Sequence, residues 1–148
     1  MLFRSRLYSA LVVRDGRATA VQSWYGGDQR DAGSFGLYAI PRVGDGLETL
    51  EKAVDAEISA FLGDGVKPDE LERAKTQIVA RSVYARDRQQ TRAYQYGSGL
   101  MTGLSARDVY EFPDRVRAVS AEDVMAAARK VLDGAHAVTG ELLPEKRS

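Results

Sequence analysis

Only one imidazole, that of His136, is present in 148 residues, and there is no cysteine. A zinc centre built on two helical histidines with carboxylates, or a nucleophile activated by a histidine, needs more nitrogen bases than this. His136 stands between Ala135 and Ala137 in an alternating stretch and reads as an ordinary strand residue. Carboxylates are plentiful, so a pair of acids of the glycosidase kind has to be considered. However, Glu48, Glu51, Asp55 and Glu57 share a segment with an apolar face, and "DELERAK" mixes acids and bases at ion-pairing intervals. Both read as solvated helix faces. The glycines of "YGGDQ" and "GDG" lack the spacing, lysine and hydroxyl of a phosphate loop and read as turns. Ser5, Ser98, Ser105 and Ser120 lack the flanks of a nucleophile elbow. Trp24, Tyr25, Tyr94 and Tyr96 are the side chains for a binding groove, although aromatics at strand and helix spacing are more often core. No catalytic, substrate-binding or metal-ligating residue emerges.

Tyr8, Leu11 and Val12 have helical spacing and Asp15-Gly16 supplies a turn. From Arg17 to Tyr25 the period becomes two, placing Ala18, Ala20, Gln22 and Trp24 on one face of a strand. A second strand, "SFGLYAIP" from Ser34 to Pro41, makes an antiparallel pair the natural reading. Leu47, Leu50, Val54, Ile58 and Phe61 then mark a helix stopped by Gly63-Asp64-Gly65. Pro68, followed by Asp69 and Glu70, opens the next one, with Leu71, Ala74, Ile78 and Val79 as its buried face. A third helical stretch carries Tyr94, Leu100 and Met101, and Ser105 with Asp108 and Ser120 with Asp123 have the spacing of reciprocal helix caps. The last helix runs through Val124, Ala128, Val131 and Leu132 before "AHAVTGELLP" alternates as a closing strand, and "EKRS" reads as a frayed tail. The order is one helix, two strands, four or five helices and one strand. This segregation implies a single α+β domain over residues 1–148, with helices packed on one face of an antiparallel sheet.

Composition agrees with one domain: 44% of residues are hydrophobic and 28% charged. Twenty-one basic residues balance 21 acidic ones, which removes the electrostatic footprint of a nucleic-acid or anionic-membrane binder. The locally basic, aromatic stretch "RSVYARDRQQTRAYQY" is the one feature that points the other way. No run reaches the roughly 18 apolar residues of a membrane span. Neither a nucleic acid nor a membrane is an expected partner.

The ordered set "SRLYSALV", "ATAVQSWY", "FGLYAIP", "LETLEKAVDAEISAF", "GVKPDELERAKTQIV", "VRAVSAEDVMAAARKVL" and "AVTGELLP" resembles the C-terminal type of domain of insulinase- and pitrilysin-like zinc metallopeptidases. The mitochondrial processing peptidase and bacterial two-subunit zinc proteases belong to the same group. The resemblance spans nearly the whole chain and implies a ferredoxin-like-derived fold. It also implies that the catalytic zinc belongs to an N-terminal domain of the parent protein, held there by His-x-x-Glu-His and a distal Glu. One histidine cannot make that motif, so this chain carries no cofactor and zinc is expected in the parent.

In such enzymes an Arg and a Tyr, seven positions apart at a helix-to-strand junction, help bind substrate in the half opposite the zinc. Those positions fall near Val12 and Thr19, and the pair is absent. The resemblance therefore implies a non-catalytic domain from the zinc-carrying half. Its expected role is one wall of a peptide-degrading chamber, with the zinc-bearing domain or a paired subunit as partner and a peptide as the parent's substrate. The family's domain is larger and begins with a further strand and helix, so the chain is expected to be the C-terminal portion of a domain, incomplete at its N-terminus. An exposed sheet edge and self-association follow from that picture. Many bacterial relatives are exported, which favours the periplasm over the cytoplasm. The rival readings are an inactive family member that serves as an assembly or binding subunit, and an unrelated α+β interaction module.

Overall fold

The computed structural model describes residues 2–27, 29–132, 134 and 137–143, with side chains from residue 5 onward. The chain opens with α1 (Leu2–Leu7), which runs directly into a π-helical segment, Tyr8–Arg14. Asp15 N donates to Ala10 O over 2.9 Å, the five-residue step of that wider winding. The winding resets the buried face. Leu7, Ala10 and Leu11 are buried, Val12 is half-buried, and Tyr8, which shares the helical spacing of Leu11 and Val12 in the sequence, is exposed. Gly16, at φ +62°, turns the chain into the sheet in a conformation that favours glycine.

β1 (Ala18–Gly26) and β2 (Ser34–Pro41) form a two-stranded antiparallel sheet. The register pairs Ala18 with Pro41 but Ala20 with Ile40, so Thr19 is the extra residue of a bulge. This corrects the simple alternation read from the sequence. Ala18 shares the buried side with Val21, whereas Trp24 lies on the outer face against Gly36, where a Cβ would overlap its ring.

Helices cover the other face. The core joins Leu7, Ala10 and Leu11 to Ala18 and Val21 of β1, Leu50 and Phe61 of α2 (Leu47–Asp64) and Met125 of α7 (Ala121–Val131), bordered by Phe35, Leu37 and Ala39 of β2. Gly65, at φ +76°, ends α2 and returns its N–H to Phe61 O. α3 (Pro68–Ala85) starts on the expected proline and buries Leu71. Arg6 ties it to α1: its Nε and Nη2 donate to the Glu70 carboxylate, at 2.6 Å for the shortest contact, and Nη2 also donates to Gly65 O at 2.8 Å. The guanidinium lies 5.2 Å from the centre of the Phe61 ring.

A second group of helices, α4 (Gln89–Met101), α5 (Ala106–Tyr110) and α6 (Phe112–Ala118), extends from α3. Gly99 lets α4 approach α5 closely, since a Cβ there would stand 2.7 Å from Val109 Cγ2. Leu100 and Met101, part of the expected helical pattern, face solvent. Both predicted caps form. Ser105 N and Ser120 N donate to the carboxylates of Asp108 and Asp123, whose own N–H groups donate back to the serine hydroxyls. α6 has no counterpart in the sequence reading, although Pro113 at its first turn marks such a start.

The expected closing strand is not formed. Residues 137–143 carry no strand, and Val138 and Leu142 are 97% and 93% exposed. A strand exists only by pairing, and among the described residues the sheet has two members. His136 and the "EKRS" tail lie outside the described residues. Among those described, no helix is long and apolar enough to cross a membrane.

Candidate functional site

Several of the carboxylates are occupied with structural work. Glu48 pairs with Lys52, Asp69 with Arg73 and Glu72 with Lys75 along their helices, as the solvated-face reading requires, and Glu57 reaches Arg14 at 2.7 Å. Among the described residues four carboxyls depart from their ordinary titration, all downward. Hydrogen bonds from Arg14 and Arg6 hold Asp15 and Glu70 low, and hydrogen bonds from Ser105 and Ser120 do the same for Asp108 and Asp123. A general acid needs the opposite shift, toward neutrality. Among the described residues no group of three or more His, Cys, Asp or Glu side chains could hold a metal ion, so these residues do not fit a zinc centre.

A cleft of about 660 Å³ lies between the loop end of the hairpin and the α3–α6 helices. Tyr25, Gly27 and Gln29 line it from the sheet side, and Arg86, Tyr94, Ser98 and Phe112 from the helices. Tyr25 and Tyr94 are 74% and 76% exposed. The core reading therefore fails for both, because no described element lies over the hairpin end to bury them. Of the four aromatics named from sequence, these two meet at the cleft; Trp24 sits on the outer sheet face and Tyr96 does not line it.

Arg86 is held in place by donating to Tyr110 O at 2.9 Å and by stacking 5.1 Å from the centre of the Tyr110 ring. Arg115, also on the cleft wall, lies 3.5 Å from Asp108. Ser82, also on the cleft wall, donates to Val79 O at 2.8 Å within its own helix. The lining thus offers aromatic rings, amides, hydroxyls, guanidinium groups and the Asp108 carboxylate, which is held in the Ser105 cap. Such a surface can hold a polypeptide's backbone and side chains. Arg86 lies in the basic, aromatic stretch "RSVYARDRQQTRAYQY" singled out from sequence, whereas Phe112 and Gln29 were missed, since nothing local distinguishes them from other surface residues.

At the helix-to-strand junction, Val12 packs against the core and Thr19 is the exposed bulge residue, its Oγ1 3.4 Å from Ile40 O. Neither side chain lines the cleft.

With this geometry in hand, similarity to known proteins is specific. The sequence pattern of the family described as Peptidase M16 inactive domain matches residues 2–78, the stretch from α1 through most of α3. No curated protein matches the chain. A candidate zinc protease from Bordetella pertussis Tohama I is similar in fold, with a TM-score of 0.83 and 20% identity over 95% of this chain and 76% of that one. The inactive peptidase domain of a candidate zinc protease from Bordetella parapertussis gives the same TM-score of 0.83 and 20% identity, over 97% and 75% of the two chains. Both neighbours are similar over α4–α7 as well as over the matched N-terminal half. The α+β architecture, the resemblance read from the ordered motifs and the matched pattern agree: the chain belongs to the peptidase M16 inactive-domain family.

Proposed function

We propose that this chain forms one wall of a peptide-degrading chamber and takes no part in bond breaking. It packs against a zinc-bearing domain of the same parent protein, or against a paired subunit that carries one, and turns its cleft toward the peptide. The parent hydrolyses peptides, with the metal and the water-activating carboxylate supplied by the partner. The observation that carries this reading is the match of residues 2–78 to an inactive peptidase domain. The cleft supports it: its rings and hydrogen-bonding groups suit a polypeptide, and its carboxylate, Asp108, is committed to a helix cap.

The test is to co-express the chain with its zinc-bearing partner and follow cleavage of a peptide. Cleavage is expected from the assembly, abolished by a chelator and absent from the isolated chain. Within the assembly, Tyr94→Ala should raise KM several-fold and leave kcat within about twofold, because uniform binding energy is lost and no reacting group is touched. Cleavage by the isolated chain, or a Tyr94→Ala assembly with unchanged KM, refutes the proposal. An upstream coding region without His-x-x-Glu-His would instead make the chain part of an assembly subunit.

A further inference from the structure

The charges that line the cleft are unequal. Among the described residues it carries two guanidinium groups, Arg86 and Arg115, against one carboxylate, Asp108. That carboxylate is already engaged. Asp108 Oδ2 accepts from Ser105 N at 2.8 Å and from Ser105 Oγ at 2.6 Å, and its Oδ1 lies 3.5 Å from Arg115 Nη1. Arg115 therefore has an anion beside it, whereas Arg86 is in no ion pair with a described carboxylate.

What holds Arg86 is neutral. The Tyr110 carbonyl takes one N–H of Nη2 at 2.9 Å, and the Tyr110 ring lies 5.1 Å from the guanidinium carbon. A guanidinium is a planar fork of N–H donors, so these contacts orient the group without neutralising it and leave donors unused. The fork fits a carboxylate, and a hydrogen bond between ionised groups is roughly twice as strong as one between neutral groups. Tyr25, Tyr94 and Phe112 line the same cleft, and Gln29 and Gln95 add amides that can pair with a main chain. A phosphodiester strand would bring a charge with every nucleotide and meet Asp108, whereas a single carboxylate matches the single unpaired guanidinium.

Resting on the reading that the cleft faces the peptide, we propose that it selects a segment containing an aspartate or glutamate. The side-chain carboxylate pairs with Arg86, and the residues beside it lie against Tyr25 and Tyr94. Arg86 thus sets specificity and takes no part in bond breaking.

The test is fluorescence anisotropy of the full chain with labelled, C-terminally amidated peptides that differ only in Glu, Gln or Lys at one internal position. A further peptide has the internal Gln and a free C-terminal carboxylate. The Glu peptide should bind about tenfold more tightly than the Gln peptide, and the Lys peptide more weakly still. Arg86→Gln should bring Glu and Gln peptides to within about twofold of each other, Arg86→Glu should favour the Lys peptide, and Arg129→Gln, outside the cleft, should keep the Glu preference. Raising salt from about 0.05 to 0.5 M should shrink that preference several-fold in the unaltered chain, a readout that needs no variant to fold.

No binding of the Glu peptide up to about 1 mM overturns the proposal. So does equal binding of Glu and Gln peptides, a preference that survives Arg86→Gln or is lost equally in Arg129→Gln, or tighter binding of the free C-terminus than of the internal Glu. Displacement of the Glu peptide by a single-stranded oligonucleotide at lower concentration than by unlabelled peptide also overturns it. A preference shown by this chain but absent from KM of the assembly does the same, because an acidic segment of the partner would then fill the cleft. An assembly whose KM responds to Tyr94→Ala but not to exchange of Glu for Gln in the peptide refutes the acidic selection alone. One that responds to neither refutes the reading of the cleft itself.

Discussion

Replacing Arg6 by methionine removes a side chain that joins α1, the α2–α3 connection and α3. The substitution keeps an unbranched stem over Phe61 but deletes the contacts to Glu70 at 2.6 and 3.1 Å and the 2.8 Å bond to Gly65 O. The Glu70 carboxylate is then left with the long bond from Lys67 N at 3.4 Å. Hydrogen bonds to charged groups contribute about 1.5–3 kcal/mol each, and stranding one partner of a buried pair costs about 3–5 kcal/mol. Here the two side chains are 18% and 19% exposed, so water reaches the stranded carboxylate and the expected loss is lower, about 2–3 kcal/mol. For a domain of this size that lowers Tm by roughly 5–10 °C.

Urea and thermal denaturation of Arg6→Met, Glu70→Gln and the double variant, at one protein concentration, give the coupling energy directly. A coupling of about 1–2 kcal/mol is expected near neutral pH. The pH dependence follows from the sign of the shift. Arg6 holds the folded Glu70 carboxyl below its ordinary value, so its contribution is complete above the unfolded pKa of about 4.3 and disappears as pH falls through the lower folded value. The gap between wild type and Arg6→Met should therefore close in acid. A loss under about 0.5 kcal/mol at neutral pH, or a gap that is unchanged in acid, refutes the assignment of this pair as the clasp between α1 and α3.

Ser120→Ala removes the acceptor for Asp123 N at the start of α7 and should cost about 1 kcal/mol in a urea titration, with Ser120→Asp restoring most of it. Gly99→Val should destabilise by about 1–3 kcal/mol, because even its Cβ meets Val109 Cγ2 at 2.7 Å and α4 must move off α5; an unchanged urea midpoint would contradict the close approach. Gly36→Ala displaces the ring of Trp24, the sole tryptophan, so the emission spectrum should shift while far-ultraviolet dichroism is preserved. Identical spectra would show that the ring does not lie over Gly36.

What could be read without a structure was whatever neighbouring residues decide among themselves. β2 begins and ends where Gly33 and Pro41 punctuate the chain, α3 begins on Pro68, and the two serine caps form because acceptor and donor are three residues apart. The scarcity of imidazole and absence of thiol, and the ordered motifs of an inactive peptidase domain, were equally local properties of the sequence. The π-helical winding over Tyr8–Arg14 and the bulge at Thr19 were not legible, because each shifts the phase of a periodic pattern to satisfy packing against another element. The same limit hid the cleft. Tyr25 and Tyr94, far apart in sequence, have patterns indistinguishable from core aromatics, and only the position of the α3–α6 helices relative to the hairpin leaves them open to solvent. Alternation in residues 137–143 likewise identified a segment able to be a strand, but a strand is completed by its neighbour. Sequence alone thus determined local conformation and chemical capacity, and tertiary structure decided burial and pairing, since those depend on surfaces that distant parts of the chain bring together.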